Sequence, residues 1–178
     1  MRHKPIKNKL FVQNRQQLTE LMAPKSLAVL NANDVLPTNA DGSLPMHPNA
    51  DLFYLSGIEQ EESILLLFPD AADNKHREIL FLRQPNQHMQ IWEGYKHTKE
   101  NARKISGVKN IQWLSEFPVM FRSLICEAES AYLNSNEYKR AHVEVGQGQE
   151  EGGPLERGAE VCGVLYPGAL PRVQGQEG

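Results

Sequence analysis

The sequence is short of most features that would announce a function. Its 178 residues contain two cysteines, Cys126 and Cys162. That is too few for a disulfide framework, and two thiols without an export signal fit a reducing, cytoplasmic interior. Long apolar runs are missing too. None approaches the roughly 20 residues that span a bilayer, and the basic opening Met1-Arg-His-Lys-Pro5 is not followed by the apolar stretch of a signal peptide. Charge of one sign is also scarce. The net charge is −3 and the 19 basic residues are dispersed, so the electrostatic footprint of a nucleic-acid binder is absent. Neither nucleic acid nor membrane is an expected partner.

Catalytic signatures are equally sparse. There is no Gly-x-Ser-x-Gly elbow and no phosphate-cradling glycine loop. The six histidines, His3, His47, His76, His88, His97 and His142, include no pair at zinc-ligand spacing, and they read as surface or loop residues. Glu59, Glu61 and Glu62 cluster between apolar stretches. They fall short of the converging oxygens that a hard cation needs, and read as a solvated linker beside a strand edge. Cys126 falls on the apolar side of a helix, where a thiol behaves as a small hydrophobe.

What is present is an ordered alternation of apolar blocks and punctuation. Phe11, Leu18, Leu21 and Met22 recur at helical spacing, and Pro24 stops that helix. Ser26–Asn31 reads as a strand, followed by a long turn-rich loop containing Pro37-Thr-Asn-Ala-Asp-Gly42. Leu52–Leu55 and Ser63–Phe68 read as strands. The second forms a hairpin with Glu78–Leu82, and its continuous apolarity predicts burial on both faces. Thr98 caps a helix carrying Ala102 and Ile105 that ends at Gly107. Ile111–Leu114 is a short strand, and Ser115 opens a helix with Phe117, Phe121, Leu124 and Ile125 on one stripe. Ala131–Asn134 is a further strand, and Asn136 caps a last helix running toward Val145.

This order predicts an α/β fold with a mixed β-sheet flanked by helices. Residues 1–145 form the domain. No internal repeat is visible. Residues 146–178 are a low-complexity tail holding nine of the 13 glycines and no lysine. Its low apolar content predicts disorder, apart from Val161-Cys-Gly-Val-Leu-Tyr-Pro167, which can form a short extended piece. Trp92, in Gln90-Ile-Trp-Glu-Gly94, lies on a glycine-punctuated loop. Two readings stay open for it: a rigid face for a ligand or partner, and local cover for the sheet edge.

Asn49-Ala-Asp-Leu-Phe-Tyr-Leu-Ser-Gly-Ile58, Ser63–Phe68, Glu78–Leu82 and Gln90–Gly94 together resemble the N-terminal domain of Xaa-Pro aminopeptidases, also called aminopeptidase P. Phe11-Val-Gln-Asn-Arg15, with Leu18 and Leu21, and the Asp41-Gly42 loop fall where that family places an Arg-bearing first helix and a long turn. The resemblance runs from about Lys9 to Val145. It implies a two-domain hydrolase whose C-terminal half, a pita-bread fold, binds two manganese ions through two Asp, one His and two Glu. A metal-bridging hydroxide there attacks the carbonyl before proline. Those five ligands have no matching positions in this sequence, so no catalytic or metal residue carries over and no cofactor is expected in this chain. By position, Trp92 and Asp41 resemble residues that approach the substrate channel. The implied partners are a second copy or a catalytic metallopeptidase domain. The coincidence of the compositional break with the end of the resemblance suggests a truncated gene product that is inactive alone. The alternatives are a stand-alone peptide-binding module and the N-terminal domain of a prolidase-type dipeptidase.

Overall fold

The computed structural model describes residues 6–33, 35, 47–85 and 96–134, and the backbone of 160–163. The described elements are α1 (Asn8–Leu21), β1 (Ser26–Asn31), α2 (Ala50–Ser56), β2 (Ile64–Leu67), β3 (Glu78–Leu82), α3 (Lys99–Ser106), β4 (Asn110–Trp113), α4 (Phe117–Ile125), β5 (Ser130–Leu133) and β6 (Glu160–Gly163). Short 3-10 turns at Asn74–His76 and Leu114–Glu116 lead into β3 and α4.

The strands form one mixed sheet in the order β4-β3-β2-β1-β5-β6. β2 runs antiparallel to both β1 and β3, while the β3–β4, β1–β5 and β5–β6 pairs are parallel. Alternate side chains therefore feed two cores. On one face Leu30, Leu65, Leu67, Leu80 and Leu82 pack with Leu52 and Leu55 of α2 and Ala102 of α3, and Leu18 of α1 closes over them. On the other, Leu27, Val29, Leu66, Ile79 and Phe81 meet Leu124, Phe117 and Phe121 of α4. The Phe117 ring meets Phe81 edge-on and stacks on Phe121. Helices on both faces explain why β2 is a run of apolar residues without alternation.

One assignment from sequence is overturned. Leu52–Leu55 lies in helix α2, not in a strand. Four apolar residues are too few to reveal a period, and the flanking residues decide. The Asn49 side chain accepts hydrogen bonds from the Asp51 and Leu52 amides, and Gly57 ends the helix at φ 68°, in the left-handed region that glycine enters at little cost. Cys126 is exposed rather than packed on the apolar stripe of α4, with its thiol directed at the Arg122 carbonyl. β6 falls within the Gly-rich tail, on the apolar patch read as a short extended piece. The rest of 146–178, and the helix expected after Asn136, lie outside the described residues.

A buried cation joins the three helices of the first face. Arg15 of α1 is 2% exposed. Its Nη1 donates to the Leu55 carbonyl at 2.6 Å and the Ser106 carbonyl at 3.0 Å, and its Nε pairs with Glu78 at the start of β3. Both carbonyls belong to last helical turns, where backbone acceptors lack intrahelical partners and the helix dipole is negative. The two stops are built alike, Leu55-Ser-Gly-Ile58 and Ile105-Ser-Gly-Val108. Ser56 and Ser106 donate back to the Leu52 and Ala102 carbonyls and accept from the Ile58 and Val108 amides. A Cβ on Gly57 would lie 2.4 Å from the Phe11 ring, and one on Gly107 2.7 Å from the Val12 side chain. Asn14 of α1 adds a bond to the Tyr54 carbonyl at 2.8 Å.

Two stability outcomes follow, both read by urea denaturation. Leu66→Ala empties a fully buried site in the central strands and lowers the unfolding free energy by about 2–5 kcal/mol; a loss below roughly 0.5 kcal/mol would match a surface position instead. Arg15→Met leaves the Leu55 and Ser106 carbonyls buried without this donor and costs about 2 kcal/mol or more; a neutral result would mean that the helix ends do not depend on the guanidinium.

Candidate functional site

The pairing pattern sets strand direction. β1, β3, β4 and β5 all run the same way and β2 alone opposes them among the first five strands. The carboxyl ends of β1 and β3 therefore lie on one edge of the sheet, two strand spacings or about 10 Å apart. From the first the chain enters the segment containing Asp41, and from the second the segment containing Trp92. Both residues lie outside the described residues. What the described residues bring together is the pair of exits, at the edge where open α/β sheets bind ligands.

A network of asparagines organises that edge. The Asn31 amide donates to Asn134 Oδ1 at 2.8 Å, and Asn134 Nδ2 donates to the Asn31 carbonyl and to Asn49 Oδ1, both at 2.9 Å. Asn49 Nδ2 donates to Asn33 Oδ1 at 3.0 Å, and Asn33 Nδ2 to the His47 carbonyl at 3.1 Å. The end of β1, the end of β5 and the cap of α2 are thus one hydrogen-bonded unit. Beside it is an open depression of about 520 Å³ lined by Asn31, Asn33, Glu62, Ser63, Ile64 and Leu114. Among the described residues the buried Ser63 hydroxyl has no hydrogen-bond partner.

The turn from Glu59 to Glu62 is the solvated linker read from sequence only at its ends, where Glu59 and Glu62 are exposed. Glu61 pairs with the Lys96 ammonium, whose side chain is 6% exposed, and Glu62 lies 3.5 Å from the Arg83 guanidinium. Gln60, between Glu59 and Glu61 in sequence, is buried. Its Oε1 accepts from the His97 amide at 2.7 Å and its Nε2 donates to the Arg83 carbonyl at 3.4 Å. Burial lowers the Lys96 pKa from its ordinary value, and Glu61 supplies the counter-charge that favours the protonated form. Burial also lowers the His97 pKa, partly opposed by Glu59. His97 Nδ1 stands 3.2 Å from the Asn101 amide nitrogen, a contact that suits the neutral ring with Nδ1 accepting. The sequence signal for this arrangement was an amide set within three carboxylates.

The chemistry open to the described residues is limited. Among them no group of three or more His, Cys, Asp or Glu side chains is gathered to hold a metal ion. They do not supply the two-Asp, one-His, two-Glu set that the resemblance implies for manganese. No helix among them is long and apolar enough to cross a membrane.

Comparison with known proteins agrees with this architecture. Residues 11–132 match the family model described as aminopeptidase P, N-terminal domain. The chain is 28% identical over 146 residues to an Xaa-Pro aminopeptidase of Escherichia coli (strain K12), covering 82% of this chain and 33% of that protein. It is 27% identical over 105 residues to Xaa-Pro aminopeptidase 3 of Dictyostelium discoideum, covering 59% of this chain and 20% of that one. The structure of aminopeptidase P from E. coli with the inhibitor Pro-Leu superposes with a TM-score of 0.65 at 28% identity, over 78% of this chain and 31% of the solved one. The chain thus spans about a third of the length of these E. coli relatives. With the family model extending across both cores and every strand from β1 to β5, the chain belongs to the aminopeptidase P N-terminal domain family.

Proposed function

We propose that the chain serves as the non-catalytic N-terminal domain of a manganese-dependent Xaa-Pro aminopeptidase, an enzyme that releases the residue preceding proline. The observation that carries this reading is the match of residues 11–132 to the N-terminal domain of that family. The role left for this domain is to contact that domain or a second copy and to shape access to the substrate. Asp41 and Trp92 are its substrate-proximal residues in this reading. Their segments depart from the same sheet edge, which supports placing them on a common surface. A cytoplasmic setting goes with the reading.

Two outcomes test it. The purified chain releases no N-terminal residue from Xaa-Pro peptides, with or without added manganese, in an assay of freed amino acid by mass spectrometry; metal-dependent turnover would overturn the non-catalytic assignment. A chimera tests the positive half. The E. coli Xaa-Pro aminopeptidase, carrying this domain in place of its own, cleaves Xaa-Pro peptides, and Trp92→Ala in the chimera lowers kcat/KM by about tenfold, equivalent to about 1.4 kcal/mol of transition-state stabilisation. A folded, metal-loaded chimera whose turnover ignores Trp92→Ala would remove Trp92 from the substrate surface.

A further inference from the structure

We propose that the outer edge of β5 is a strand-docking site and that residues 160–163 of the same chain are its occupant, closing the edge at which the family match ends. That match stops at residue 132, within β5. β6 comes from beyond it, so the sheet of the matched residues ends on β5. The backbone of 160–163 runs parallel to β5 in unbroken register, with Ser130 opposite Glu160 and Leu133 opposite Gly163.

The two edges of the matched sheet differ. An edge strand presents a row of N–H and C=O groups to any extended segment, and proteins blunt it with lysine, proline or bulges. β4, at one edge, follows Lys109 and carries Asn110 and Gln112, whose side chains bond to each other at 2.8 Å. β5 reads Ser-Ala-Tyr-Leu, with no charge, no proline and no break in its register with β1. The charge that precedes it, Glu129, is paired with Lys25 at 2.7 Å. β5 is also held from its inner side. The Glu129 amide donates to the Lys25 carbonyl at 2.8 Å, the Tyr132 hydroxyl accepts from the Ala23 amide at 3.3 Å, and Asn134 exchanges bonds with Asn31. A strand fixed in advance costs less to pair than one that must first be ordered.

Direction selects the occupant. A parallel partner has to return from the carboxyl end of β5 to its amino end, which takes a connection of about a dozen residues or more. Residues 134–159 provide one. Within 146–178 the run Val161-Cys-Gly-Val-Leu-Tyr166 is the one apolar patch, and β6 overlaps its start. Pairing within one chain carries a closure entropy that grows only slowly with the length of the connection. The tail therefore outcompetes a strand from another molecule until that strand reaches about millimolar concentration.

The test is cross-linking in the full chain. Ser130→Cys and Glu160→Cys are introduced together with Cys126→Ser and Cys162→Ser, and the two thiols, on facing backbone positions, are joined by dibromobimane, whose reach matches the strand spacing of about 5 Å. In an equal mixture of isotopically labelled and unlabelled protein, mass spectrometry finds the link mainly within single chains. The pair Ser130→Cys with Gly163→Cys, three positions out of register, links at least about tenfold less. Linking mainly between chains would overturn the proposal by making a second copy the occupant; no link, or equal linking of both pairs, would also overturn it. The docking site is then tested with Val161→Pro and Cys162→Pro in one chain. These remove two consecutive amides, one of which faces β5. Amide exchange at residues 130–133 speeds up by about tenfold relative to β2, and a peptide of residues 158–167 added at millimolar concentration slows it again. Unchanged exchange, or no rescue by the peptide, would overturn the docking assignment. None of these readouts involves turnover, so the peptidase assignment stands or falls separately.

Discussion

The fold depends on one buried cation. Arg15 sits in the interior beneath α2 and α3, and burying its charge would be prohibitive without compensation. Compensation comes from two helix C-termini, each offering a carbonyl that its own helix cannot satisfy, and from Glu78. The fork of a guanidinium reaches two such carbonyls from one nitrogen and a carboxylate from another, which a lysine ammonium on its single axis would not reproduce. The result is that α1, α2 and α3 form one slab over the Leu30, Leu65 and Leu80 face. Glycine stops at 57 and 107 follow from the same contact, because a side chain at either position would enter α1.

Such a device leaves little trace in a linear reading. β1, β2, β3, β4 and β5 were legible because apolar runs stand between turn residues, and α3 because Thr98 and Gly107 bracket it. α2 was misread as a strand because four apolar residues carry no period, although Asn49 and Gly57 marked its ends. The role of Arg15 was hidden for a different reason. Its acceptors at Leu55 and Ser106 are backbone carbonyls 40 and 91 positions away, and a carbonyl has no letter in the sequence. Gln60 was passed over because its neighbours are glutamates, whose composition suggests water. It took the burial of Gln60 and the pairing of Glu61 with the buried Lys96 to show that the middle of the turn faces inward while Glu59 and Glu62 stay exposed. For Trp92 and Asp41 only the departure points are described.

The same sheet explains why the candidate surface lies where it does. A single reversed strand, β2, keeps β1 and β3 parallel to each other and separates their carboxyl ends by one intervening strand. The asparagine network secures the first exit and the turn at Gln60 secures the second. Both use side-chain amides, which supply donors and acceptors without net charge, and the second adds the paired charges of Glu61 and Lys96 beside the Gln60 carboxamide.

The span of the Arg15 contacts has a temporal side. A ribosome delivers α1 before α2 and α3, with its cation and its Phe11 and Val12 surface complete, and the acceptors at Leu55 and Ser106 emerge later in synthesis. Until the second Ser-Gly stop has left the exit tunnel, the opening helix has only part of its seat. α1 is therefore fully seated only after α3 has been made, and until then its guanidinium donates to water rather than to the two carbonyls.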